Sequence, residues 1–219
     1  MRLRAMSSNT VTLAVGIVLF IIVIRMYVYM PFKIQGPSMC PLLNLYGDDC
    51  VPYDDPRREL TLINRYIYSF HAPQRGDVIV FRLSDGTRYV KRIIGLPKET
   101  VRIGDDGMVY VVQAGETLEI QLDEKGYLLE ENYGHTYPIR QNKAVFEVPS
   151  HSYFVLGDNR LDSADSRHCF IPVKHGCMIS KDTPYVERDN IYGRVDYVLW
   201  PFTQARRIMP GNYQSTMKR

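Results

Sequence analysis

The 219-residue sequence predicts a mainly β domain carried behind a single N-terminal helix. Three observations predict it. The run from Val11 to Ile24 carries no charge and is apolar on every side instead of striped, unlike a helix packed on one face. Residues 77–95 read as two β-branched arms around Asp85-Gly86, a strong hairpin signal. From there to Leu199, short strand-like runs recur between Gly, Asp and Pro punctuation, and no second long helical pattern intervenes.

Composition narrows the function. Apolar content of 45% and charge of 23% describe an ordinary folded chain. A net charge of +3, with the Lys and Arg scattered, argues for no nucleic-acid partner. The four cysteines, Cys40, Cys50, Cys169 and Cys177, lack the paired CxxC spacing of a zinc site; no metal and no cofactor is expected.

The apolar run is fourteen residues, short of the roughly 20 that a bilayer requires. Beyond Arg25, Met26 to Phe32 continue its apolar and aromatic character. A helix from about Thr10 to Met30 spans if Arg25 snorkels to the headgroups, with Tyr27 and Tyr29 in the interfacial belt. Arg2 and Arg4 place the N-terminus in the cytoplasm and the rest outside. No small-x-small site follows the run, so it is read as a retained anchor in residues 1–32, not a cleaved signal peptide.

Next stands Ile34-Gln35-Gly36-Pro37-Ser38-Met39-Cys40-Pro41-Leu42. Gly36 and the prolines force an irregular backbone that leaves Ser38 at the end of a loop with its amide free; by turn chemistry alone this is an ordinary turn serine. From Leu45 to Gln74 the chain is loop-rich, with Tyr66, Tyr68 and Phe70 as a strand-like aromatic stripe suited to core packing or to lipid. In the hairpin, Tyr89, Lys91 and Ile93 share one strand face. A lysine between those neighbours loses water, which lowers its pKa toward that of a usable base; the alternative is a lysine that snorkels from a sheet edge. Residues 101–112 form another strand pair, 113–143 are polar and irregular, and strand character returns at 145–148, 153–156 and 191–199. A basic tail from residue 203 ends the chain.

Three pieces in this order carry a resemblance: Gly-Pro-Ser-Met-Cys-Pro after an anchor, Tyr89-Val90-Lys91-Arg92-Ile93-Ile94-Gly95-Leu96-Pro97 after Arg75 to Phe81, and Gly157-Asp158-Asn159-Arg160 running on to Ser163, Asp165 and Arg167. The chain resembles the type I signal peptidases (leader peptidases), membrane-bound serine proteases with a Ser/Lys dyad, from the anchor through Trp200. The resemblance implies an antiparallel β catalytic domain in two parts, 33–97 and 144–202, with 98–143 as an inserted β lobe. It implies Ser38 as nucleophile and source of an oxyanion amide, Lys91 as general base, and Ser163 as the hydroxyl that orients the lysine. Arg92, Asp158, Asp165 and Arg167 fall on positions of structural charge pairing.

The implied partners are the signal peptides of exported preproteins, cleaved after small-x-small (Ala-x-Ala) sites, with a lipid bilayer and the export machinery nearby. The implied location is a plasma (inner) membrane, crossed once. Ile34, Met39, Leu42 and Tyr89 are expected pocket walls by adjacency. Some family members place a serine hydroxyl two residues before the nucleophile; here that position is Gly36. Leu42 and Lys98-Glu99 also depart from the family's usual Thr and Gly-Asp. An extracytoplasmic location permits a Cys169–Cys177 disulfide, and Cys40 is expected as a packed small residue. The His168 and His175 neighbours of those cysteines fit no standard zinc spacing. The rival readings are a peptidase for one dedicated substrate, such as a pilin, and an inactive homologue that only binds signal peptides.

Overall fold

A computed structural model of the chain describes residues 8–137, 144–171 and 183–211, without the side chains of residues 8 and 25–27. Arg2, Arg4, His175, Cys177 and the end of the tail, and the side chains of Arg25 and Tyr27, lie outside the described residues.

Helix α1 spans Ser8–Tyr27, and its large apolar side chains, Leu13 and Phe20 among them, are exposed. It stops three residues short of the expected end at Met30. Pro31 biases Met30 toward extended backbone, and strand β1 (Tyr29–Lys33) pairs antiparallel with β4 (Leu60–Asn64), Tyr29 opposite Asn64. Among the described residues no helix is long and apolar enough to cross a membrane. A two-stranded ribbon, β2 (Leu45–Tyr46) and β3 (Asp49–Cys50), lies between.

The aromatic stripe is not a strand. Ile67–Ser69 form a short 3-10 turn, started by the Asn64 side chain accepting from the Tyr66 and Ile67 amides. Tyr68 is buried and donates to Asp77 at 2.9 Å. Tyr66 and Phe70 stay exposed and pack edge to face.

The hairpin forms as β5 (Val78–Arg82) and β6 (Arg88–Gly95), with Ile79 opposite Lys91. Of its two turn residues only Gly86 takes a positive φ, +86°; the Asp85 carboxylate instead caps the loop by accepting from the Thr87 amide and hydroxyl. β11 (Ser152–Leu156), β12 (Val186–Glu187), β13 (Ile191–Trp200) and β14 (Arg206–Arg207) complete the main sheet. Its order is β1-β4-β13-β5-β6-β11-β12, with β14 beside β13. Arg206 therefore belongs to the sheet and not to a solvent tail; it pairs with buried Glu59 at 2.8 Å.

The inserted lobe is a second sheet. β7 (Thr100–Ile103), β8 (Val109–Val112), β9 (Glu119–Gln121) and β10 (Val145–Glu147) lie in the order β10-β7-β8-β9. It takes in a strand past residue 143, where the sequence placed its end, and β9 within the segment read as irregular. Val101, Val111 and Phe146 from the lobe share one buried cluster with Phe154 and Leu156 of β11, so the lobe's core is continuous with that of the main sheet. Gly95 permits the approach: a Cβ there would lie 2.5 Å from Val101 Cγ2.

A buried ion pair also ties lobe to main sheet. Arg160 donates to both oxygens of Glu124, at 2.9 and 2.6 Å, and to Thr136 Oγ1 at 2.5 Å. Removing one member of such a pair strands a buried charge. Glu124→Ala is expected to lower stability by about 3–5 kcal/mol, read by urea unfolding; a loss below about 1 kcal/mol contradicts the pairing.

Candidate active site

The chain leaves β1 through Ile34 and turns sharply at Gly36, whose φ is +75°. The next turn closes with the Cys40 amide donating to Pro37 O at 2.9 Å, which leaves Ser38 at the lip of the sheet. The Ser38 amide donates to no protein acceptor among the described residues. Asn44 fixes the turn from below: its side chain donates to Gly36 O at 3.0 Å, and its oxygen accepts from the Glu59 amide at 2.9 Å. Cys40, expected as a packed residue, is buried but disulfide-bonded to Cys50. Of the expected Cys169–Cys177 bond, Cys169 is disulfide-bonded and Cys177 is outside the described residues.

β6 delivers Lys91 to the same place. Its Nζ lies 2.7 Å from Ser38 Oγ and 2.9 Å from Val90 O, with only 2% of the residue exposed. It does not snorkel. Burial pushes its pKa down from 10.5 to about 8, although the Asp165 and Asp158 carboxylates act in the opposite direction.

The 157–167 segment folds over this pair. A Cβ on Gly157 would sit 2.4 Å from Ser38 O and 2.2 Å from Ser163 Oγ, so glycine lets the loop close on the serine turn. The Asn159 amide then donates to Ser38 O at 3.1 Å. Asp158 takes two hydrogen bonds from Arg92, at 2.8 and 2.6 Å, both side chains buried. Asp165 accepts from Arg167 twice at 2.9 Å and from the Gly157 amide at 3.1 Å. Burial alone would raise the Asp165 pKa; the Arg167 charge and hydrogen bonds, with His168 Nδ1 at 3.6 Å, outweigh it and hold the carboxyl far below its usual range.

Ser163 is placed differently from its expected role. Its Oγ is buried against Gly157 but has no hydrogen-bond partner among the described residues, Lys91 included.

A cavity of about 500 Å³ opens beside Ser38 and Lys91. Ile34, Met39 and Tyr89 line it as expected. Leu42 does not; it packs against the core cluster with Leu43, and its carbonyl accepts from Arg206. Tyr53, Arg88 and Ala164 line the cavity unforeseen. Tyr53 comes from a loop whose proximity to Ser38 follows from the Cys40–Cys50 bond and carries no local signal. Glu99, one of the two departures past β6, pairs with Arg75 at 2.6 Å and accepts from the Leu96 amide at 2.7 Å.

Strands β1 and β6 flank the cavity. β1 is an edge strand of the main sheet. β6 pairs with β11 from Arg92 onward, and its Tyr89–Lys91 stretch lines the cavity.

The family model described as "Signal peptidase, peptidase S26" matches residues 7–200. A signal peptidase I of Bacillus caldolyticus is 29% identical over 181 residues, covering 83% of this chain and 85% of the relative. One from Leptolyngbya laminosa is 30% identical over 210 residues, covering 92% and 80%. One from Pseudomonas fluorescens is 32% identical over 201 residues, covering 84% and 69%. The crystal structure of a signal peptidase I from Enterococcus faecalis matches with 31% identity and a TM-score of 0.38, covering 57% of this chain and 97% of that one.

The lowered Lys91 pKa has a stability signature. An unfolded lysine binds its proton up to about pH 10.5 and the folded one only to about 8, so the cost of burying the charge is complete below 8 and fades as pH rises to 10.5. Relative to Lys91→Met, wild type should gain stability across that window in urea unfolding. A difference independent of pH contradicts the assignment.

Proposed function

This chain belongs to the signal peptidase family, peptidase S26, and as a type I signal peptidase it is a serine endopeptidase; on that premise we propose that it removes signal peptides from exported preproteins with Ser38 as nucleophile and Lys91 as general base. The observation that carries the reading is the 2.7 Å contact between a buried lysine amine and a serine hydroxyl beside an open cavity.

With a pKa of about 8, Lys91 is neutral in an appreciable fraction of molecules near neutral pH. Its lone pair takes the Ser38 proton as Oγ attacks the scissile carbonyl, and Val90 O accepts an N–H and holds the amine in place. The oxyanion is stabilised by the Ser38 amide. Protonated Lys91 gives its proton to the leaving amine, an acyl-enzyme remains, and a water activated by the same amine releases the signal peptide.

The substrate is read as a strand added at the edge strand β1, across the cavity that Tyr89–Lys91 line. Main-chain pairing tolerates sequence, and the walls at Ile34, Met39 and Tyr89 favour small side chains, as an Ala-x-Ala site supplies. Ser163 packs Gly157 against the serine turn, a positioning role; it orients the lysine only if its hydroxyl turns. Arg92–Asp158 and Asp165–Arg167 hold the loop that covers the base. The exposed apolar side chains of α1 support insertion into a bilayer as an anchor, with the N-terminus cytoplasmic and the β domain outside. Tyr66 and Phe70 follow Arg65, whose amide donates to Val28 O just beyond the helix, and suit the interface. An inactive homologue would not need the close dyad, and Leu42 stands away from the cavity, so neither rival reading gains support.

Detergent-solubilised protein and a preprotein with an Ala-x-Ala site test this. Wild type should cleave, with a rate rising about tenfold per pH unit up to a midpoint near 8. Ser38→Ala and Lys91→Ala should each lose at least about 10³-fold in kcat. Cleavage that survives in both variants would show that these are the wrong residues.

A further inference from the structure

The serine turn offers one obvious oxyanion donor, the Ser38 amide. The two residues directly before it add no donor from their side chains: Pro37 lacks even an N–H, and Gly36 lacks a side chain. The space beside Gly36 is nevertheless filled. An ideal Cβ on Gly36 would lie 2.4 Å from Cε1 and 2.5 Å from Cζ of Tyr53, so the ring occupies the position that a side chain at residue 36 would take. Cζ carries the phenol oxygen one bond further on. Tyr53 lines the same cavity as Ser38 and Lys91, and no hydrogen bond to a protein group shifts its hydroxyl among the described residues. Tyr53 is 57% exposed; partial burial of its ring and the Asp162 carboxylate raise the phenol pKa from 10, so the O–H is retained at working pH.

We propose that Tyr53 is a catalytic residue whose phenol O–H donates to the oxyanion at the scissile carbonyl, beside the Ser38 amide. This rests on the Ser38/Lys91 reading and deepens it. An aromatic wall alone would need only the ring; here an unengaged hydroxyl accompanies it at the one place where the serine turn has no side chain.

The loop that brings Tyr53 is tied to the serine turn three times. The Cys40–Cys50 disulfide joins the turn to β3, three residues before Tyr53. The Val51 amide donates to Asn44 O at 2.8 Å, and the Asn44 side chain holds Gly36 O. Asn44 is in turn fixed by Glu59, which pairs with Arg206. A donor meets a developing charge without reorganisation only when it is held in this way.

The test is Tyr53→Phe, which keeps the ring against Gly36, measured beside wild type, Tyr53→Ala and Ser38→Ala on one Ala-x-Ala preprotein. Tyr53→Phe should lose about 10²-fold in kcat with KM nearly unchanged and the unfolding midpoint retained. A peptide aldehyde ending in the same residues forms a tetrahedral adduct with Ser38, and it should bind the variant weaker by a similar factor. Full kcat in Tyr53→Phe with loss only in Tyr53→Ala would make Tyr53 a wall and overturn the proposal, as would an effect confined to KM. An inert wild type or an active Ser38→Ala would instead sink the dyad on which the proposal rests.

Discussion

An amine taken out of water is costly to keep charged, and Lys91, 2% exposed on the interior strand β6, is placed so that losing its proton relieves that cost. The surroundings limit how far the relief goes. Asp158 and Asp165 both pull the pKa back up, and each is engaged by a guanidinium, Arg92 or Arg167. Left unpaired, the two carboxylates would restore more of the lysine's charge. The buried pairs thus hold the covering loop in place and leave the amine near neutrality at the pH where it must act.

The nucleophile is arranged by a different device. Ser38 has little regular structure of its own, so its position is set by contacts made to its backbone. The Asn159 amide holds its carbonyl from one side, while the Cys40–Cys50 bond and the Asn44–Gly36 contact fix the turn from the other. Gly157 and Gly36 are the points of closest approach, one under Ser163 and Ser38 O, the other under the Tyr53 ring. Ser38 is therefore held between two loops that approach each other only in the folded chain, and the cavity lies between them.

Much of this was legible in the sequence wherever the signal was local. The hairpin carrying Lys91 followed from alternation and Asp85-Gly86, and the strand arms fell where the pattern put them. The helix end was misjudged because hydropathy continues through Tyr29 and Met30, while Pro31 and pairing with β4 decide the conformation. Tyr66, Tyr68 and Phe70 alternate as a strand does, yet Asn64 accepting from the following amides starts a turn. Cys40–Cys50, Arg160–Glu124 and Tyr53 beside Gly36 join residues distant in sequence, and single-chain periodicity carries no information about them. Leu42 was assigned to the pocket by adjacency, but two residues past the 3-10-like closure of the serine turn the chain already points into the core.

The most direct test is the titration of Lys91 itself, followed by NMR on the Cε of specifically labelled lysine in the folded protein, assigned by comparison with Lys91→Met. A midpoint near 8 is predicted. A midpoint near 10.5, the ordinary lysine value, would mean that the amine stays charged when the hydroxyl proton has to leave, and the account of this site would fail.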